Sequence, residues 1–454
     1  MKRRLLGTAA IALSLFNVTT AHAAVTLMDK DDWKVTMGGF VETDYVHDST
    51  RSFTEIIGNA GVARSGTMAG DNGRTFFSGR NSRLNFSVYA PETNGWKSKG
   101  VMEFDFFGYD PQPQGPTGGA NSETAFSQNP GPRIRHMYMS TESNGWQILT
   151  GQTWSLFGWQ PYYFPTTITL APGPGELFQR NLQFMVMKSM MLGDSNKLQV
   201  AGSLERPVQR DSSLPTLNVG ARWSFDGLKT AYTGTYGDTK LESLSVGVTG
   251  KFTQFTTGTA SSTSTSNTNG TAISVDTLIP IIPASDAKDP GNSLTITGEF
   301  TAGKGYADTL PNWSGGLSSF SAGSAPGATA AGNTNLDAGY GGFDGSGNFQ
   351  LLNLQTWNVS LQYVLPTSWS TYMTAGYMEV QASNVGDFAN ATNWGTGSAN
   401  TLISKDSMYF INAIHDFTSQ VRVGLEYSKQ TTHYYGDGEE PKNDRYQITA
   451  LFRF

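Results

Sequence analysis

The feature that most constrains this chain is a period-two alternation of apolar and polar residues that recurs along its length. From Trp33 to Tyr45 one face reads Trp33, Val35, Met37, Gly39, Val41, Thr43, Tyr45, and the other reads Lys34, Thr36, Gly38, Phe40, Glu42, Asp44. Alternation of this kind specifies a strand with one apolar face. Here the apolar face carries an aromatic ring at each end. That suits a strand crossing a bilayer, with rings at both interfaces. The same grammar returns at Leu84, Phe86 and Val88, at Leu217, Val219, Ala221 and Trp223, at Trp357, Val359, Leu361 and Tyr363, and at Val421, Val423, Leu425 and Tyr427. Tyr446, Ile448, Ala450, Phe452 and Phe454 share one face of a further strand. An aromatic at Phe454 resembles the C-terminal signal read by the bacterial barrel assembly machinery.

Composition agrees. Charged residues are 15% of the 454, with 52 Gly and 12% aromatics, a mix that favours strands and turns over packed helices. The absence of Cys removes disulfides and thiolate chemistry. The net charge of −6 gives no basic signal for nucleic acid.

Residues 1–23 read as a secretory signal peptide. Lys2, Arg3 and Arg4 form a basic start, Leu5 to Leu15 an apolar stretch, and Ala21-His22-Ala23 a cleavage site. The apolar run is too short to span a membrane, which takes about 20 residues. Loss of those three basic residues takes the net charge from −6 to −9. Residues 24–454 then form a single barrel domain.

Sixteen strands are predicted, at 33–46, 80–90, 96–107, 133–141, 146–153, 182–190, 197–205, 216–225, 228–236, 241–252, 293–303, 354–365, 369–380, 406–417, 420–430 and 444–454. An even count suits a closed all-β, antiparallel transmembrane barrel. Long outer loops fall at 47–79, 108–132, 154–181, 304–353 and 381–405. Short turns fall at Pro91 to Gly95, Glu142 to Gly145, Asp226-Gly227, Pro366 to Ser368 and Thr418-Ser419. One connection breaks the rhythm. Residues 253–292, rich in Ser, Thr and Asn, stand where a short turn belongs; either they are an insertion or the strands between 228 and 300 are miscounted. Ser314 to Gly347, within the Gly/Ser-rich loop 304–353, reads as low-complexity.

The run Gly79-Arg80-Asn81-Ser82-Arg83-Leu84-Asn85-Phe86 resembles an early strand of the DcaP-like outer-membrane porins. Glu103-Phe104-Asp105-Phe106, Arg133-Ile134-Arg135-His136-Met137-Tyr138 and Gly151-Gln152-Thr153-Trp154-Ser155-Leu156-Phe157 extend the likeness in the same order. It is dense over residues 79–184 and diffuse beyond. The phosphate-selective porins are a weaker match. The resemblance implies a sixteen-stranded homotrimeric channel in the outer membrane of a Gram-negative bacterium, favouring small anions and notably dicarboxylates. The family's helical N-terminal extension is not expected, because only Ala24 to Asp32 lie between the leader and the first strand.

Strand parity sends a set of charges inward. Arg83 opposes Leu84 and Phe86, Glu103 and Asp105 alternate with Met102, Phe104 and Phe106, and Arg133 and Arg135 flank Ile134. Arg222 and Arg422 follow the same rule. An Arg facing lipid at mid-bilayer costs about 2–4 kcal/mol, so inward is favoured. Arg180 shares parity with Leu182 and Phe184, so alternation does not place it inside; the end of the third outer loop could still turn it toward the pore. Inward arginines can act as a basic ladder for carboxylates, or can pair with Glu103 and Asp105 and stitch the wall. The third outer loop, with Trp159, Tyr162, Tyr163 and Phe164, is the candidate constriction. The acidic run Asp437-Gly438-Glu439-Glu440 suits an outer loop, so bulk negative charge does not oppose an anion-selective ring.

The predicted function is passive diffusion of small anionic solutes, with no cofactor or metal. A general diffusion porin with cation preference is the alternative within this class. A non-conducting adhesin or scaffold is the alternative outside it. An enzyme is not expected: no Gly-x-Ser-x-Gly elbow or metal-binding His spacing is present, and His136 sits inside a wall-like motif.

Overall fold

A computed structural model describes residues 24–108, 131–169, 172–209, 212–258, 265–320, 335–389 and 398–454. The predicted leader lies outside these residues. The strands are β1 (Val25–Lys30), β2 (Trp33–Asp48), β3 (Arg74–Ser78), β4 (Arg83–Tyr89), β5 (Lys97–Gly108), β6 (Gly131–Ser143), β7 (Trp146–Trp154), β8 (Arg180–Met191), β9 (Asn196–Glu205), β10 (Thr216–Thr233), β11 (Thr239–Gly258), β12 (Thr265–Ile282), β13 (Leu294–Lys304), β14 (Gly341–Phe343), β15 (Phe349–Leu351), β16 (Asn353–Val364), β17 (Thr371–Ala382), β18 (Ile403–Asp416), β19 (Val421–Tyr434) and β20 (Lys442–Arg453).

Neighbours in sequence pair antiparallel, and β2 pairs with β20 to close the ring. β3 and β4 are two halves of one interrupted stave, both paired to β2. With β14–β15 a separate hairpin and β1 an addition alongside β2, the closed barrel has sixteen staves. β1 lies where the sequence pattern assigned no element.

Burial is inverted relative to a soluble protein. Val41, Met139, Leu182, Val219, Trp357, Val359, Ile411, Leu425 and Ile448 are exposed on the outer face, while Glu42, Asp105, Arg135, Arg222, Glu426 and Arg445 are buried inside. Alternation makes this possible, since each stave gives one face to lipid and one to the lumen.

Two strand assignments need correction, and they cancel in the count. The predicted strands 216–225 and 228–236 are one strand, β10, whose register shifts between Phe225 and Lys229. Asp226-Gly227 is therefore an irregularity within a strand and not a turn. The stretch 253–292 is no insertion in a turn: it holds the upper end of β11 and all of β12. β12 pairs along its length with β11 and β13. β11 and β12, at 20 and 18 residues, exceed the roughly 9–11 needed to cross hydrocarbon and make one side of the barrel tall, whereas the extra length of β10 lies beyond its irregularity.

The lumen is filled from the outer side by loops. Phe53, Ile57 and Val62 of the first loop pack on Met378, Met408 and Phe410 of β17 and β18. Tyr306, Leu310 and Trp313 of the long loop that follows β13 pack with Leu351, Leu354 and Val380.

Candidate functional site

The basic ladder starts from local breaks in strand regularity. Between β3 and β4 the chain leaves the ladder for four residues, and Ser82 and Asn81 replace its bonds. The Glu42 amide donates to Ser82 Oγ at 2.9 Å, and Asn81 Nδ2 donates to both carboxylate oxygens of Glu42 at 3.0 Å. Arg83 opens β4 immediately beyond. On β6 the register slips between the partners of Glu103 and Phe104. The slip turns both Arg135 and His136 inward, while Ile134 and Met137 both face out. A bulge of this kind re-aims a side chain at a functional wall.

Glu103 and Asp105 hold two of the arginines. Arg133 grips Asp105 in bidentate fashion, Nε to Oδ1 at 2.9 Å and Nη2 to Oδ2 at 2.6 Å. Arg135 donates to Glu103 Oε1 at 2.7 Å and to Asp105 Oδ2 at 3.0 Å. His136 is buried behind this network, its Nδ1 3.0 Å from Thr153 Oγ1 and its ring edge-on to Trp154.

Arg83 and Arg180 are held differently. Neither makes an ion pair among the described residues. Arg83 donates to Asn81 Oδ1 at 3.2 Å, and its guanidinium lies 4.4 Å from the ring centre of Tyr236 and 5.1 Å from that of Phe40. Arg180 lies 4.8 Å from the ring centre of Trp154 and 5.3 Å from that of Phe178. Such contacts contribute about 0.5–2 kcal/mol each and leave the positive charge uncancelled. Arg83 Nε and Arg180 Nη1 are buried with no hydrogen-bond partner among the described residues. Arg180, left open by parity, reaches the lumen because alternation fails at the loop: Thr153 and Trp154, opposite Asn181 and Arg180, are both buried.

Arg83, Arg133, Arg135, Arg180 and Glu103 all line one cavity of about 410 Å³. Phe164, Pro165 and Thr166 of the third loop form another wall, and Gly234, Thr235, Tyr236 and Gly237 form its floor. Glu176, also on the third loop, is missed by strand parity because it sits on irregular backbone. Burial pushes its carboxyl up to about 8, so it is largely uncharged near neutral pH.

The third loop folds into the barrel, but its rings divide. Phe164 lines the cavity. Trp159, Tyr162 and Tyr163 dock on the inner wall: Trp159 Nε1 donates to the Val248 carbonyl at 3.3 Å, and Arg222 Nε donates to Tyr163 Oη at 3.0 Å. The Arg222 guanidinium lies 4.2 Å from the Tyr162 ring centre. Of the four rings of the candidate constriction loop, Phe164 is the one that lines the arginine cavity. From there the loop crosses the lumen. Asn412 Nδ2 donates to the Thr166 carbonyl at 2.8 Å, Thr167 Oγ1 donates to Glu426 at 2.8 Å, and Gln447 Nε2 donates to the Ile168 carbonyl at 2.6 Å. Arg222 and Arg422 both face inward, as parity predicts.

The chain matches no protein-family model, and no curated protein matches it in sequence. Its fold does match solved structures. The outer-membrane channel DcaP of Acinetobacter baumannii aligns over 94% of this chain and 99% of its own, at 19% identity and a TM-score of 0.62. An anion-selective porin from Comamonas acidovorans aligns over 93% of this chain and 100% of its own, at 11% identity and a TM-score of 0.51. The likeness to DcaP first carried by residues 79–184 thus extends over nearly the whole barrel as a likeness of fold. The chain has the closed sixteen-stranded antiparallel architecture of the outer-membrane porins.

Proposed function

We propose that the protein is an outer-membrane porin that passes small anionic solutes, dicarboxylates among them, by passive diffusion. The observation that carries this reading is the charge of the lumen cavity. Four guanidiniums stand against the two carboxylates of Glu103 and Asp105, and Glu176 adds no charge near neutral pH. The excess belongs to Arg83 and Arg180, the two that lack an acidic partner among the described residues. A carboxylate entering the cavity offers each a bidentate acceptor in place of a ring face. Arg133 and Arg135 keep their wall partners while remaining on the cavity surface, so stitching and selection coexist. The anion selectivity named for the Comamonas porin agrees with this sign.

The same reading includes export through a cleaved leader at residues 1–23, insertion into outer-membrane lipid by the barrel assembly machinery through Phe454, and assembly as a homotrimer. Native mass measurement in detergent tests the last.

The deciding experiment is planar-bilayer recording across a KCl gradient. The wild type is expected to show stepwise conductance with a reversal potential on the anion side. The Arg83→Ala/Arg180→Ala double variant is expected to move that potential toward the cation side. A wild-type potential on the cation side would leave a general diffusion pore and remove the anion claim. Silence from a folded barrel would remove the channel claim and favour a surface adhesin or scaffold.

A further inference from the structure

The turn joining β10 to β11 belongs, by strand direction, to the rim opposite the long loops. It does not stay there. Beyond the irregularity between Phe225 and Lys229 the hairpin bends into the barrel, and its tip crosses the lumen. Counted round the ring, β10 and β20 are eight staves apart in either direction, so they are diametrically opposed. Yet the tip reaches the far wall. Arg422 of β19 donates through Nη1 to the carbonyls of Gly234, Thr235 and Gly237 at 2.9, 2.8 and 3.0 Å. Arg453 of β20 donates to the Gly237 carbonyl at 3.2 Å. The Tyr236 ring stacks on Phe40 of β2, with centroids 4.9 Å apart and planes 4° apart, and its hydroxyl accepts from Asn81 at 2.8 Å.

The tip also meets the third loop from below. Thr166 Oγ1 donates to the Thr233 carbonyl at 2.7 Å, and Thr235 Oγ1 donates to the Thr167 carbonyl at 2.6 Å. The hairpin stem is tied to the wall as well: Thr230 and Thr295 hydroxyls bond at 2.7 Å, and Gln362 Oε1 accepts from the Thr233 amide at 2.8 Å. The arginine cavity therefore has the third loop on its outer side and this hairpin beneath it.

We propose that the β10–β11 hairpin tip, Gly234 to Gly237, is a second constriction on the inner side of the arginine cavity, with Tyr236 the residue that controls passage beneath Arg83. The proposal rests on the anion-porin reading and adds a selectivity element outside the third loop. Tyr236 covers one face of the Arg83 guanidinium. A carboxylate that pairs with Arg83 must share that cation with the ring, and a solute leaving the cavity inward must pass the tip. Removing the ring widens the passage, so solutes can pass farther from the guanidiniums, and the expected net effect is higher conductance with weaker anion preference.

The test is bilayer recording on three variants, each checked for a folded barrel by its heat-dependent shift on a gel. In the first, Gly234 to Asp238 are replaced by Asn-Gly, which keeps the Thr233–Thr239 pairing. The second is Tyr236→Ala. The third is Thr235→Cys, in a chain with no other cysteine, exposed to a negatively charged thiol reagent from the hairpin side. The expected result is several-fold higher conductance with weaker anion preference in the first, a smaller change of the same sign in the second, and a drop in current on modification of the third. Wild-type conductance in the first variant overturns the hairpin's role while the porin reading stands. Silence of both wild type and first variant in folded form overturns both. Should the first variant fail to fold, a current unchanged by modification of Thr235→Cys overturns the proposal on its own.

Discussion

Oδ2 of Asp105 accepts from Arg133 Nη2 at 2.6 Å and from Arg135 Nη1 at 3.0 Å, so one carboxylate oxygen holds two guanidiniums in the cavity wall. Asp105 is fully buried and Arg135 nearly so. Removing one partner of such a pair strands the other, at about 3–5 kcal/mol. Asp105→Asn is expected to lower barrel stability by that order in denaturant unfolding. In the barrels that do fold, one negative charge is gone from the wall, and the reversal potential is expected to move further to the anion side.

The docking of the third loop depends on a missing side chain. A Cβ on Gly247 of β11 would come within 2.6 Å of Trp159 Cδ1 and within 3.2 Å of its Cγ and Nε1. Gly247→Val is expected to push Trp159 off the wall, costing about 1–3 kcal/mol by overpacking. Because Tyr163 and Phe164 follow on the same short segment, the conductance is expected to become noisier. Single-channel recording and thermal unfolding check the two effects separately.

Glu176 sets a pH dependence. Burial raises its carboxyl from 4.5 to about 8 in the folded protein. The folded chain therefore binds more protons than the unfolded chain between those values. Stability contributed by the neutral group is present below about pH 4.5 and is lost as pH rises toward 8, a change of a few kcal/mol. The slope is expected to vanish in Glu176→Gln, and unfolding midpoints across pH 4 to 9 read it. Ionisation also adds a negative charge to the cavity. Anion preference is expected to weaken above about pH 8 in the wild type and to hold in the variant.

A substitution at Phe454 tests assembly apart from stability. Its backbone exchanges hydrogen bonds with Gly39, at 2.9 Å from the Gly39 amide and 3.1 Å to the Gly39 carbonyl. Phe454→Ala preserves both. If the ring serves recognition by the assembly machinery, the variant is expected to accumulate less in the membrane, while the barrels that do form unfold at the wild-type temperature. Membrane yield and unfolding midpoint, measured on the same preparation, distinguish the two.

The barrel was legible where lipid imposes a strict rule. Val41, Leu361 and Ile448 face hydrocarbon, and no polar residue can replace them cheaply, so period two stands out. The rule weakens where the wall rises past the membrane. β12 alternates among Ser, Thr and Asn over its first half, and reads as low complexity because nothing there requires an apolar face. Asp226-Gly227 is a strong turn signal by local propensity, yet here it marks an irregularity at which the strand bends and continues. Parity located Arg83, Arg133 and Arg135, because strand geometry fixes their side. It could not place Arg180, Glu176 or Tyr236, whose positions depend on how irregular segments fold back, and periodicity carries no information about that.

Phe40 and Arg453 are opposite each other where β2 meets β20. Both also touch the hairpin tip, through Tyr236 and the Gly237 carbonyl. The tip therefore acts as a clasp over the seam of the ring, made by residues from the middle of the chain. Sealing the cylinder and seating its inner stopper become one event: neither Phe40 nor Arg453 alone completes the tip's berth. A barrel that gapes at this seam would drop its stopper, and a barrel without the stopper would hold its seam by the ladder of backbone bonds and by side-chain pairs such as Arg445 with Asp48.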